Sequence, residues 1–118
     1  MTLVEVKTTE LIGPALDWAV AKAEGYDEGW LLRQMNNPNP ATRAIPAYST
    51  DWSQGGPLIE QYRMHICPIV YDGIGMTQCW IDSCDNRFID STPLIAAMRC
   101  LVVAKLGDTV QIPSELIQ

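Results

Sequence analysis

The polar and aromatic side chains of this sequence crowd into one stretch, YSTDWSQGGPLIE, residues 48–60. Tyr48 and Trp52 offer π-faces on which a planar ring can stack. Ser49, Thr50 and Gln54 can hydrogen-bond ring edges or sugar hydroxyls, and Asp51 can accept from a hydroxyl or an amino group. Gly55 and Gly56 let a partner come close to the backbone. Pro57 suits the first position of a helix, so the N–H groups of the two glycines are expected at a helix start, where an anion is favoured. Arg99 is a strong cation in an otherwise apolar segment and must meet a carboxylate, Asp17 or Asp51, or a ligand phosphate. Trp18 falls off the apolar stripe of its own helix and either covers a second surface or lines a pocket. Together these residues read as the wall of a pocket for a small nucleotide-like ligand. The plainer reading makes Tyr48 and Trp52 core residues, Asp51 a turn cap and Arg99 an internal ion pair.

Catalytic and metal chemistry is thin by comparison. The one histidine, His65, shares a strand face with Cys67. Neighbours of that kind make a poor nucleophile–base pair, and a third group would have to orient the ring. Zinc needs four converging ligands, and the sequence has no C-x-x-C pair. A hairpin turning at Gly73-Ile74 would put Cys67 opposite Trp80 and point Cys79 to the other face. The carboxylates are dispersed, without the convergence that glycosidase or metal-dependent nuclease chemistry requires. No catalytic residue, metal ligand or cofactor is assigned, and the expected protein is not an enzyme.

Composition narrows the partners. A chain of 118 residues is expected to be one domain, residues 1–118, with a core of its own. Its net charge is −6, and its eight lysines and arginines are scattered. Such a surface repels a phosphate backbone, which argues against polymeric nucleic acid, whereas a small anion needs only one or two cations. No apolar run approaches the length of a membrane span. The start, MTLVEVKTTE, lacks the basic-then-apolar pattern of a secretory signal. Cys67, Cys79, Cys84 and Cys100 are therefore expected as reduced thiols in a cytoplasm.

The elements that must position these residues follow from periodicity and punctuation. Leu3 to Lys7 alternates as a strand. GPALDWAVAKAEG, residues 13–25, has Pro14 at a helix start, Gly25 past its end, and Leu16, Ala19, Val20 and Ala23 on one stripe. Trp30 to Leu32 suits a short helix or strand. MNNPNPATRAIP, residues 35–46, is loop by composition, either a lid over the site or a surface excursion. LIEQYR after Pro57 suggests a two-turn helix. MHICPIVY and MTQCWID flank the hairpin turn DGIG; SCDNR suggests a turn and FID a short third strand. Pro68 argues for an edge strand. Thr92 and Pro93 open a last helix that Gly107 ends. Only Arg99 and Lys105 are charged in it, about 120° apart at ~100° per residue. A helix so apolar is buried on more than one side, and one side is expected to be a subunit interface of a homo-oligomer. VQIP follows as a short strand. The fold class is α+β, two main helices packed on a small, mainly antiparallel sheet with a central hairpin.

Three segments, residues 8–25, 48–60 and 92–113, carry the long strings DWAVA, YSTDW-x-QGGP-x-IE and TPLIAAMR-x-x-V-x-x-KLGD. In this order and spacing they resemble the phage NinX-like family of small proteins. The resemblance covers nearly half the chain and leaves out the central hairpin. It implies a bacteriophage or prophage protein expressed in a bacterial cytoplasm, and it carries no biochemical activity with it. The expectation is a non-enzymatic protein that binds a nucleotide-like ligand. A concrete form is a counter-defence sponge that sequesters a cyclic nucleotide or a cyclic ADP-ribose-type signal. The alternative is an interaction module, an adaptor or inhibitor of a host or phage protein, with the same aromatics as exposed contact residues.

Overall fold

The computed structural model describes residues 2–39, 44–81, 84–90 and 92–117. Four α-helices and two antiparallel sheets are found among them. The elements run β1 (Leu3–Lys7), α1 (Pro14–Ala23), α2 (Glu28–Met35), α3 (Trp52–Gln61), β2 (Met64–Tyr71), β3 (Ile74–Ile81), β4 (Cys84–Asp90), α4 (Pro93–Leu106) and β5 (Thr109–Pro113). Single 3₁₀ turns follow β1 and β5. One sheet pairs β1 with β5, the other has the order β2-β3-β4, and the fold is α+β as the periodicities indicate.

Helix α4 is the centre of the packing. Leu94, Met98, Leu101 and Val102 are fully or almost fully buried. Helix α1 packs on it from one side and β3 and β4 from the other, with β5 and α3 closing the gaps. Fully burying each such side chain contributes about 1.5–3 kcal/mol. Most of the apolar surface of the helix is thus covered inside one chain, with residues 104–106 exposed. Thr92 is the N-cap residue, but it makes no side-chain cap bond. Its N–H donates instead to Asp90 Oδ1 at 3.1 Å.

Helix α1 is buried over consecutive residues from Ala15 to Ala21, because α4 and β5 take different faces of it. Trp18, off the main stripe, is completely buried, and its Nε1–H donates to the Gln111 carbonyl at 3.3 Å. The helix closes as its sequence indicates. Tyr26 N–H reaches the Ala21 carbonyl and Gly25 N–H the Lys22 carbonyl, around Gly25 at φ +94°.

Two boundaries differ from the sequence reading. Helix α3 begins at Trp52, capped by Asp51, and carries Pro57 inside it rather than at its first turn. Asp51 and the main-chain bonds of the following turn start the helix before the proline is reached. Gly55 and Gly56 are therefore helical, and Gly55 N–H is bonded to the Asp51 carbonyl at 2.9 Å. Strand β4 begins at Cys84, so residues expected in the SCDNR turn join the ladder; positions 82 and 83 lie outside the described residues. Part of the 35–46 loop, residues 40–43, also lies outside them.

The hairpin turns at Asp72-Gly73, with φ values of +53° and +79° as a two-residue turn of that twist requires. Cys67 consequently faces Gln78, not Trp80, while Cys79 pairs with Ile66 on the opposite sheet face. The register differs by two residues from a turn centred on Gly73-Ile74, so the separation of the two thiols is unchanged.

Gly55 is the position where α3 meets the preceding turn and α4. A Cβ there would lie 2.2 Å from the Tyr48 carbonyl oxygen and 2.8 Å from Leu94 Cδ1. At Gly56 the nearest atom would be Trp52 Cε3 at 3.6 Å, an ordinary contact. Urea unfolding should therefore show Gly55→Ala destabilised by about 3 kcal/mol through overpacking. Gly56→Ala should be neutral or more stable by up to about 1 kcal/mol, from helix propensity. Equal effects at the two glycines would contradict this packing.

Candidate functional site

The 48–56 stretch divides into buried and exposed parts. Thr50 and Asp51 N–H groups both turn back on the Ala47 carbonyl, at 3.3 and 2.9 Å. That turn points Ser49 inward, where its N–H and hydroxyl donate to Asp17 Oδ1 at 2.8 and 2.7 Å. Burial raises the Asp17 carboxyl above its ordinary pKa, and the two Ser49 bonds pull against that shift. Asp17 thereby fastens α1 to the turn. Asp51 faces solvent and accepts from the Ser53 hydroxyl at 2.7 Å and N–H at 2.9 Å. Those two bonds hold its carboxyl below the usual range. Asp51 is thus the cap of α3. Thr50, Trp52 and Gln54 are exposed, Trp52 at 54%.

Tyr48 is buried and lines an open cleft of about 350 Å³ with Glu24, Gly25 and Tyr26. Burial first, then a hydrogen bond to Tyr26, raises the Tyr48 hydroxyl pKa. Tyr26 stacks on Trp30 with ring centroids 5.3 Å apart. The Tyr62 hydroxyl donates to Glu24, and burial with that carboxylate pushes its pKa up to about 12. This cleft carries hydroxyls and a carboxylate, a setting that disfavours phosphate.

The cation lies elsewhere. Arg99 Nη1 donates to Asp90 Oδ2 at 2.6 Å and Nε to the Leu11 carbonyl at 2.8 Å. Its partner is neither Asp17 nor Asp51. Two of the five guanidinium N–H donors are engaged, and three remain among the described residues. Arg99 lines an open cavity of about 670 Å³ together with Lys7, Thr8, Thr9, Phe88, Ile89, Val103, Asp108 and Thr109. Lys7 is exposed and has no ion pair among the described residues. The Thr8 hydroxyl is engaged with the Gly107 carbonyl at 2.8 Å, whereas Thr9 and Thr109 are exposed.

Of the ten residues singled out from sequence, Arg99 alone lines this cavity. Tyr48 lies in the second cleft, Trp18, Ser49 and Gly55 are buried in the packing, and Thr50, Asp51, Trp52 and Gln54 are on the surface. Gly56 is partly buried within α3. Sequence reading missed Lys7, Phe88, Val103 and Thr109. They converge because Lys7 pairs with Thr109 across the β1–β5 ladder and β4 packs on α4. No local pattern announces either contact. His65 stacks on Trp80 with centroids 4.9 Å apart and planes 3° from parallel. No group of three or more potential metal ligands occurs among the described residues.

These features define a small α+β protein with an arginine-lined cavity between its two sheets and its central helix. Residues 7–105 match the family model described as Bacteriophage P22, NinX, and the chain belongs to that phage family. No curated protein matches it. No helix among the described residues is long and apolar enough to cross a membrane.

The Asp17–Ser49 contact has a pH signature. The folded chain holds the Asp17 proton to a higher pH than the unfolded chain, whose carboxyl titrates near 3.8. Between that value and the raised folded pKa the native state binds more protons. This group's contribution to stability is therefore lost as pH rises through the window and regained as pH falls. Denaturant melts across the acidic range should show that component vanish in Asp17→Asn, whose amide oxygen can still accept from Ser49. Asp17→Ala should cost about 1–3 kcal/mol at neutral pH, by orphaning the Ser49 N–H. A pH profile identical in Asp17→Asn and the parent would count against a raised Asp17 pKa.

Proposed function

We propose that this phage protein is a non-enzymatic binder of a small, weakly anionic, nucleotide-like ligand, with its site in the Arg99 cavity. The observation that carries the reading is the lining of that cavity. Phe88, Ile89 and Val103 supply an apolar and aromatic wall, Thr9 and Thr109 supply hydroxyls, and Lys7 and Arg99 supply cations. A volume of about 670 Å³ lies within the range of small-molecule sites.

The electrostatics restrict the ligand further. Asp90 already pairs with Arg99 and offsets part of its charge, and Asp108 lines the same cavity. A triphosphate would meet uncompensated repulsion there. A phosphodiester, with one charge per phosphate, is accommodated by Lys7 and the remaining Arg99 donors. Cyclic nucleotides and cyclic ADP-ribose-type compounds fit this description. A protein that held one without converting it would act as a sponge for a signal in the infected cell. The second reading, an adaptor or inhibitor of a host or phage protein, is favoured by Trp52, an indole 54% exposed on the first turn of α3.

Calorimetry and thermal shift against a panel of cyclic nucleotides and linear triphosphates test the first reading. A cyclic compound should raise Tm, by about 2.7 kcal/mol in stability at a hundredfold excess over Kd. Chromatography should recover it chemically unchanged. Lys7→Ala should weaken binding about tenfold, a loss of ~1.4 kcal/mol, and Trp52→Ala should leave it unaltered. No shift with any compound rejects the reading. Trp52-dependent capture of a single host protein would establish the other.

A further inference from the structure

Two cysteines meet where the three-stranded sheet packs on α4. Cys79 lies on β3 and Cys100 on α4, both side chains are completely buried, and neither is in a disulfide. Each thiol is a hydrogen-bond partner of the other. The Ile81 main chain also bonds the Cys100 sulfur. That contact falls where the β3–β4 ladder slips register, between Cys79 and Ile81. An irregularity of this kind re-aims the groups beside it, and this one sits against the thiol pair. Cys67 is apart from them: it is half-buried and opposes Gln78, on the other face of the sheet from Cys79. The bond between the two thiols makes them unequal. It holds the Cys79 thiol below its ordinary pKa, against the effect of burial, and it raises the Cys100 thiol. Cys79 is the readier thiolate, and Cys100 keeps its proton.

We propose that Cys79 and Cys100 are a peroxide-sensitive pair that closes to a disulfide and ties α4 to β3. Thiols close enough to share a hydrogen bond need only side-chain rotation to reach the ~2.05 Å of an S–S bond. The oxidant is a small peroxide. The Cys79 thiolate attacks one peroxide oxygen, an S–O bond forms and the O–O bond breaks. The departing hydroxide takes up the proton that Cys79 released and becomes water. The Cys100 sulfur then attacks the Cys79 sulfenic acid, an S–S bond forms and the S–O bond breaks. That hydroxide leaves with the Cys100 proton as a second water. Two thiols are oxidised and one peroxide is reduced. Burial ordinarily leaves a cysteine inert, but the position of this pair supplies a route. Phe88 opposes Cys79 across the ladder, Arg99 precedes Cys100 in the chain, and Val103 lies a turn further along α4. All three line the open cavity that holds Arg99. The thiols stand behind that wall, and local openings of it admit a molecule as small as hydrogen peroxide. The bond closes a loop from β3 through β4 to α4, which stabilises the fold by restricting the unfolded chain. None of this depends on a ligand in the cavity.

Treating the whole folded chain with hydrogen peroxide, then alkylating it for mass spectrometry, tests the pair. The intact mass should fall by two hydrogen atoms, and fragmentation of a trypsin digest should place the link between Cys79 and Cys100. Tm should rise by about 10 °C, the effect of closing a loop of this length, and return to its starting value on reduction with dithiothreitol. Cys67→Ser should form the same link. Cys100→Ala should form none and should carry Cys79 on to its sulfinic acid; Cys100→Ser serves if the alanine variant fails to fold. The parent chain alone can overturn the proposal. It does so if Cys79 and Cys100 stay reduced in the folded protein while Cys67 is oxidised. It also does so if the link runs through Cys67 or Cys84, or if Cys79 reaches the sulfinic acid with Cys100 still a thiol.

Discussion

Helix α4 must be covered on nearly every side, and the rest of the fold answers that demand. Between Pro93 and Leu106 the only charges are Arg99 and Lys105. Leaving any large part of such a helix in water would forfeit the burial that stabilises a domain of this size. Helix α1 takes one side, β3 and β4 the other, and β5 and α3 the remainder. Each charge has its own exit. Arg99 reaches Asp90 and the Leu11 carbonyl, and Lys105 lies over the Tyr62 ring, 4.9 Å from its centroid. Asp90 does two jobs at once, since its second oxygen accepts from the Thr92 N–H where α4 begins.

The segment richest in polar and aromatic residues serves the architecture as much as any ligand. Its Tyr48–Ser49 turn is held by Asp17 from below and packed against Gly55 from the side. Gly55 is required by a close approach of backbone to helix, a reason for glycine quite different from an open phosphate-binding loop. Asp51 caps the helix that the glycines continue. The same residue types would have suited an anion site, so composition alone does not separate the two uses. Hydrogen-bond partners do.

The cavity with the cation sits where three elements distant in sequence come together. Arg99 comes from α4, Lys7 and Thr109 from the β1–β5 ladder, and Phe88 from β4. Its two cations and the Asp108 carboxylate, with Asp90 paired to Arg99, are a property of the assembled site. The overall charge of −6 says nothing of this local arrangement.

Much of this protein was legible in its sequence where the governing physics is local. The bounds of β1, β2 and α4 follow from alternation, helical spacing, Pro93 and Gly107, because caps and periodicity act over a few residues. The Schellman end of α1 and the DGIG turn are local in the same sense, although the turn centres on Asp72-Gly73 and not on Gly73-Ile74. The DWAVA and YSTDW strings likewise identified the family without any coordinates. Other features needed the tertiary structure. Pro57 signalled a helix start, but the Asp51 cap and the packing of Gly55 on Tyr48 placed it inside a longer helix. Trp18 left the apolar stripe because α1 has two buried sides. The apolar circumference of α4 does not say what covers it, and only the positions of α1 and the sheet show how much of it the chain covers itself. Arg99 was recognisable as a cation in need of a partner. That the partner is Asp90, and that Lys7 stands with Arg99 at one cavity, depends on contacts across most of the chain, which no local pattern encodes.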